Sequence, residues 1–369
     1  MTEREKLQEY FNHPALNQSK LKALLKNGVW GLKKQEENEK TSLLYYHEDR
    51  SFIIGQAADT LLTRKSDFDA EYYVPGFKKP SAAIISIITE VYEGRKSDDL
   101  SENKSLIHHT CNRQQFSMNL AKEDLFSDTR VSSVITKGAE YWKSLFEADG
   151  KQILQESEIE AARSIADSIE RHYAAYELLI SENADEEIFH QKDYYFTFPG
   201  TEIPCKMLAD HVKFNHKKKT IQVTDIKTMW GNPKYFPLQV RDYRYDIQAA
   251  FYVTGLSILF PDYDILPFKF IVETTDKGMQ GEPLIYICSN QLLSAGIYGT
   301  EPVYHEKSGR LLKPEQKGIL AGIDLYNWHM ENGFSKDKVL SENDNTFVLT
   351  PDEALSLKDY KNRIEDFKL

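Results

Sequence analysis

Cysteine is scarce. Cys111, Cys205 and Cys288 are the only three in 369 residues, widely spaced and without a C-x-x-C pair. An odd, scattered set argues against a disulfide scaffold, a zinc knuckle and a four-cysteine iron–sulfur cluster. Long apolar runs are missing too, and none approaches the roughly 20 residues of a membrane span. The opening Met1-Thr-Glu-Arg-Glu-Lys6 is charged and has no apolar core of a secretion signal, so a cytoplasmic protein is expected. A basic excess is also absent. The net charge of −11 argues against a surface that binds nucleic acid everywhere. It leaves room for a local basic groove beside metal-binding carboxylates. There are no repeats and no low-complexity tracts.

What is present describes a globular chain. Hydrophobic residues make up 41% and charged residues 28%, and 21 Tyr with 19 Phe can fill a sizeable core. Asn17-Gln-Ser-Lys-Leu-Lys-Ala-Leu-Leu-Lys26 reads as a helix capped by Asn17. A second helix is expected over Phe52 to Thr63. Residues 81–180 follow helical spacing, most clearly from Glu156 to Ile180. From Glu187 to Lys227 the pattern changes to short aromatic and β-branched runs, broken at Pro199-Gly200 and at the polar turn Asn215–Thr220. This predicts a strand meander. A helix over Leu238 to Leu259, strands at Phe268–Thr274 and Leu284–Cys288, and a helix over Glu315 to Asn332 complete the core. The fold class is therefore α+β, one central mixed sheet flanked by helices with an N-terminal helical layer or insertion. The expected organisation is a mostly helical part over 1–180, an α+β core over 181–335, and a peripheral tail over 336–369.

The chemistry centres on Asp225-Ile-Lys227. In a strand, residues two apart share a face, so the Asp225 carboxylate and the Lys227 ammonium sit side by side with Ile221 and Val223. If the preceding turn centres between Lys217 and Lys218, Asp210 lies directly opposite Asp225, with Cβ atoms about 5 Å apart. Two such carboxylates can share one hard cation at about 2.1 Å per oxygen. A D/E-x-K triplet means little alone; it recurs at Glu102, Asp149, Glu315, Asp359 and Asp366 without a partner carboxylate one strand earlier. From the pattern alone, a surface salt bridge on a hairpin fits equally well. The helix that follows carries Gln248 and Tyr252 on one face. Both are able to reach a phosphate or the lysine.

In this order, Asp210, Asp225-Ile-Lys227 and Gln248-x-x-x-Tyr252 resemble the PD-(D/E)xK nucleases, in particular the RecB/RecE-like exonuclease branch with its restriction-endonuclease-like core. Leu16-Asn-Gln-Ser-Lys-Leu21 resembles the branch's opening helix. Gly55-x-x-x-Asp59 stands where the branch carries Gly-x-x-x-His, Lys206–Asp210 resembles the segment ending in Arg-Pro-Asp, and Val272-Glu273 and Tyr326-Asn-Trp328 resemble later elements. The resemblance implies a metal-dependent DNA exonuclease that resects duplex ends for recombination or repair, using Mg2+ or Mn2+. Asp210, Asp225, Lys227, Gln248 and Tyr252 would be catalytic. Asp210, Asp225, Ile226 and Asp59 would hold the metal. It also implies DNA as partner, a single-strand annealing protein beside it, a homo-oligomeric ring and a phage setting. Two departures stand out: Ala209 replaces Pro, and Asp59 replaces His. Glu187 is a candidate further ligand, although a solvated Glu before a strand explains it as well. Lys217-Lys-Lys219 fits a solvated turn, and Arg241 and Arg244 are better placed for phosphate. His108, His109 and His329 match no ligand spacing. Other readings are a RecB-like single-strand nuclease, an endonuclease of the same fold, or a catalytically inactive DNA-binding module.

Overall fold

The computed structural model describes residues 3–41, 50–77, 79–114, 129–306, 311–335 and 338. The 336–369 tail expected from sequence lies almost wholly outside them. At the centre is a six-stranded mixed sheet. Its main strands are β1 (Glu186–Thr197), β2 (Pro204–Asn215), β3 (Thr220–Met229), β4 (Lys269–Thr274) and β5 (Leu284–Ile287), which lie side by side in that order. The short Asp264–Ile265 strand pairs with the start of β3. Only the β3–β4 contact among the main strands is parallel. A parallel pair needs a crossover, and helices α8 (Phe236–Asp242) and α9 (Tyr245–Leu259) supply it. The α+β architecture expected from the strand and helix order is the one found.

Both faces of the sheet are covered, which is why β3 reads as a nearly continuous buried run. Ile221 and Val223 pack with Ile247, Phe251 and Leu256 of α9. On the opposite face Ile226 and Ile271 pack with α3 (Arg50–Thr63) and α7 (Glu156–Arg171) through Ile54, Ala58, Ala162 and Ile165. Each such large side chain removed from water contributes roughly 1.5–3 kcal/mol. Helices α4 (Ala82–Glu93), α5 (Lys104–Arg113) and α6 (Thr129–Ala148) form a separate apolar cluster around Ile87, Ile107 and Tyr141. His108 and His109 belong to α5.

The N-terminal segment is fastened to β2. Helix α1 (Glu3–Asn12) ends at a fully buried lysine from that strand: Lys206 Nζ donates to the carbonyls of Tyr10 (2.5 Å), Phe11 (3.4 Å) and His13 (2.8 Å). Leu16 then bridges β2 directly, donating to Pro204 O at 2.9 Å and accepting from Lys206 N at 2.9 Å. Helix α2 (Gln18–Thr41) starts as expected, with Asn17 Oδ1 accepting from Lys20 N at 2.8 Å. It breaks at Asn27–Gly28, where Gly28 adopts φ 61°. Helices α10 (Asn290–Tyr298) and α11 (Ile319–Asn332) close the α9 side.

Three helix boundaries differ from the sequence reading. The 156–180 helix stops at Arg171 because His172 turns extended, with ψ 95°. The 238–259 helix is two helices, since Arg244 takes a left-handed φ of 54° between them. The last one begins at Ile319, because Gln316–Lys317 is spent pairing with Gly299–Thr300.

Candidate active site

The β2–β3 ladder runs from Asn215↔Thr220 to His211↔Thr224. Continued by one residue, the same register sets Asp210 opposite Asp225, as the turn-centring argument required. Asp225 is buried and Asp210 beside it is half-buried. Desolvation, then the Asp225 charge, pushes the Asp210 carboxyl well above the ordinary carboxylate range.

Asp225 is 1% exposed and has an uneven set of partners. Its Oδ2 takes both the Lys227 ammonium at 2.6 Å and the Gln248 amide Nε2 at 2.6 Å. Its Oδ1 is buried with no hydrogen-bond partner. A buried polar oxygen left unmatched costs about 1–3 kcal/mol, so this atom calls for a ligand. Burial opposes the Lys227 charge, yet Asp225, Tyr245 and Asp210 override it and push its pKa up. Lys227 is therefore a cation, not a base. Its Nζ also lies 4.9 Å from the centre of the Tyr245 ring.

Tyr252 and Gln248 share a face of α9, as their spacing predicted, but neither side chain is left to reach for phosphate alone. Gln248 is held by Asp225. The Tyr252 hydroxyl donates to Leu208 O at 2.7 Å, pinning α9 to the strand that carries Asp210.

Asp59 reaches the same region from α3. Gly55, one turn earlier, makes this possible: a Cβ there would meet Thr228 Oγ1 at 2.6 Å, so only glycine lets α3 sit this close to β3. Asp59 Oδ1 lies 3.0 Å from His211 Nε2. Its Oδ2 accepts from Gln191 Nε2 at 3.3 Å, and the same amide nitrogen donates to Asp210 Oδ1 at 2.9 Å. Gln191 thus joins the two aspartates. Burial works against the Asp59 charge, but His211 and then Arg64 and His190 outweigh it and lower the carboxyl's pKa. His190, whose Nδ1 is 2.9 Å from His211 Nδ1, is pulled down to about 4 by burial and by His211.

Sequence reasoning missed Gln191 and His211. Gln191 sits opposite Asp210 in the β1–β2 register and has φ 49°, a distortion that aims its amide into the site. The register of that hairpin hangs on the 198–203 loop, where Pro199-Gly200 marks a turn but does not set how many residues the loop takes. Lys22 of α2 was also missed, although it is a lysine between Leu21 and Leu25 on an apolar helix face.

Several expected residues lie elsewhere. Glu187 is four positions from Gln191 along β1, where it contacts His216 Nε2 at 3.1 Å, both half exposed. It is no neighbour of Asp210, because the strand carries it toward the hairpin turn. Lys219 lies over the Tyr263 ring at that turn. Arg241 is spent on its neighbour Asp242, and Arg244 on Asp246 through bonds of 3.0 and 2.9 Å. Glu273 is buried and serves structure, accepting from Ser168 Oγ, from Thr274 N and from Gly281 N. His329 is buried and stacks on Phe334.

The donor set suits a divalent cation. Hard oxygen donors are present in Asp210, Asp225 and, through Gln191, Asp59. The partnerless Oδ1 and the mutual repulsion of Asp210 and Asp225 both favour a cation between them. Among the described residues no group of three or more His, Cys, Asp or Glu side chains is already gathered at ligating distance. The side chain of Ile226 points away into the α3–α7 layer, so its main-chain oxygen is the only donor it offers.

No protein-family model matches the chain. No curated protein matches it either. Among solved structures it is similar to a 2.19 Å crystal structure of a "Putative exonuclease" from Eubacterium rectale, with TM-score 0.42 and 13% identity over 95% of this chain and 92% of that one. Likeness at that level leaves the chemistry to the geometry above. No helix among the described residues is long and apolar enough to cross a membrane.

Proposed function

We propose that the protein is a metal-dependent nuclease that hydrolyses DNA phosphodiester bonds, working from the ends of duplex DNA. The observation that carries this reading is the Asp210–Asp225 pair: a buried carboxyl facing a half-buried one, with Lys227 and Gln248 both on one oxygen of Asp225 and no hydrogen-bond donor on the other. Mutual repulsion in such a site is relieved either by a proton on Asp210 or by a cation between the two carboxylates.

Asp210 and Asp225 would hold Mg2+ or Mn2+, with Asp59 and the Ile226 carbonyl as further donors. When bound, such an ion neutralises phosphate charge and acidifies a water molecule. The chain's own groups do the rest. Lys227 keeps its proton and donates toward a non-bridging phosphate oxygen as negative charge grows there. Gln248 fixes the Asp225 carboxylate, Tyr252 fixes the strand bearing Asp210, and Gln191 holds Asp210 and Asp59 together.

Cleavage by the wild type in Mg2+ or Mn2+, compared with Asp225→Asn and Lys227→Ala, tests the reading. Each variant is expected to lose at least about 10²-fold in rate. Wild-type cleavage no greater than that of the variants refutes nuclease activity. Linear duplex, closed circular duplex and single strands should be run side by side. Rapid loss of closed circles overturns the end-dependent part and makes the protein an endonuclease.

A further inference from the structure

The geometry points to a nucleotide subsite beside this centre, built from the Tyr243 ring and the Lys22 ammonium, that takes one unpaired nucleotide of the strand being cut. The inference rests on the nuclease reading and adds a substrate form to it: the strand is single where it meets the protein.

Three observations converge. First, Phe236, Tyr245 and Tyr243 form a run of near-parallel rings, with centroid separations of 5.6 and 5.7 Å and interplanar angles of 22° and 28°. Phe236 is fully buried, whereas Tyr243 is 59% exposed, so the run opens to solvent at Tyr243. A nucleobase is a flat ring that continues such a run, and any of the bases can do so. A paired base inside a duplex cannot, because its faces are already stacked.

Second, the run leads to the catalytic lysine. The Lys227 ammonium and the Lys22 ammonium lie 4.9 and 5.8 Å from the centre of the same Tyr245 ring. Lys22 also donates to the Tyr243 carbonyl at 3.3 Å, which ties the cation to the open ring. Base contact and phosphate contact are thus adjacent.

Third, the charges here are arranged for an anion. Lys227 is neutralised by Asp225 and Arg244 by Asp246, while the acceptor found for Lys22 is a neutral carbonyl. Burial, followed by the nearby Lys227 charge, pulls the Lys22 pKa down to about 7. Asp225 and Asp246 oppose that shift, and a phosphate placed here would favour the protonated Lys22 further. The segment from Thr228 to Asp246 carries Lys234, Arg241 and Arg244 against Asp242 and Asp246, a net of +1 in a chain whose net charge is −11.

The test is binding without cleavage. Full-length wild type in EDTA is titrated into a labelled single-stranded oligonucleotide, an abasic deoxyribose-phosphate strand of equal length, and a blunt duplex. Wild type should prefer the base-bearing strand over the abasic one by about tenfold, toward the lower end of what one stacked base contributes. Tyr243→Ala should erase that preference, and Tyr243→Phe should restore it. Lys22→Ala should weaken both strands alike and flatten the salt slope by about 0.7. Equal affinity for base-bearing and abasic strands, tighter binding of the blunt duplex, or a preference untouched by Tyr243→Ala overturns the proposal. Because the readout needs no hydrolysis, an inactive protein that shows the preference sinks the nuclease reading and leaves the subsite standing.

Discussion

Asp210→Asn gives the sharpest test of the site, because it should strengthen the fold while removing the chemistry. The Asp210 carboxyl is raised well above its ordinary range by burial and by Asp225. Between the unfolded value near 3.9 and that raised value, the folded protein keeps a proton that the unfolded chain has released. Stability conferred by this group is full below about pH 3.9 and falls by about 1.4 kcal/mol per pH unit until the raised value is passed. Asn has the same shape and does not titrate. It keeps an oxygen for Gln191 Nε2, now 2.9 Å away, and brings an N–H toward the side of Asp225, whose Oδ1 lacks a partner. The advantage of the variant over wild type should therefore widen with pH, by about 1.4 kcal/mol per unit, until the raised value is passed.

Urea unfolding in EDTA from pH 4 to 8 measures this directly. Saturating Mg2+ should then offset about two pH units of that advantage: at a hundred times its dissociation constant it adds about 2.7 kcal/mol to wild type, and little to the variant. Parallel stability–pH curves for the two proteins in EDTA would mean that Asp210 and Asp225 do not share a desolvated site, and the argument for a cation between them would fall with them.

Asp59→Ala removes the carboxylate that lies 3.0 Å from the buried His211 Nε2 and accepts from Gln191, so unfolding should become easier by about 1–3 kcal/mol; the Mg2+ concentration for half-maximal cleavage should rise, and an unmoved Mg2+ titration removes Asp59 from the site. At Gly296 a Cβ would meet Asp246 O at 2.3 Å, so Gly296→Ala must push α10 off α9. A cost of about 1–3 kcal/mol in thermal or urea unfolding is expected, and a neutral effect would show that the α9–α10 contact is looser than its geometry.

The sheet and its flanking helices were largely legible in the amino-acid order, and for a physical reason. Strand alternation and hairpin register are local, so Asp210 and Asp225 could be set opposite each other from the position of one turn. Gln248 and Tyr252 followed from helical spacing. What stayed hidden depends on contacts between distant segments. Gln191 reaches Asp210 only because β1 distorts there. His211 faces Asp59 only because Gly55 lets α3 close on Thr228. Lys22 meets Lys227 only once α2 packs over Tyr245. Glu187 shows the converse failure: an acidic residue just ahead of the right strand, carried to the wrong end of it by the pairing register. Helix ends were misread where a single residue, His172 or Arg244, leaves helical backbone angles without any proline or glycine to mark the place.

The bonds that fasten the first residues to β2 also govern the order in which the molecule can be made. Lys206 lies 196 positions beyond Tyr10, whose carbonyl it holds. At about 5–20 residues per second, a ribosome needs roughly 10–40 s to deliver that lysine after Tyr10 has emerged. Throughout that interval helix α1 and Leu16 have no strand to join. The nascent chain must then complete β2 and β3 before the front of α2 can bring Lys22 to its place, so a segment synthesised well before β2 is among the last to settle.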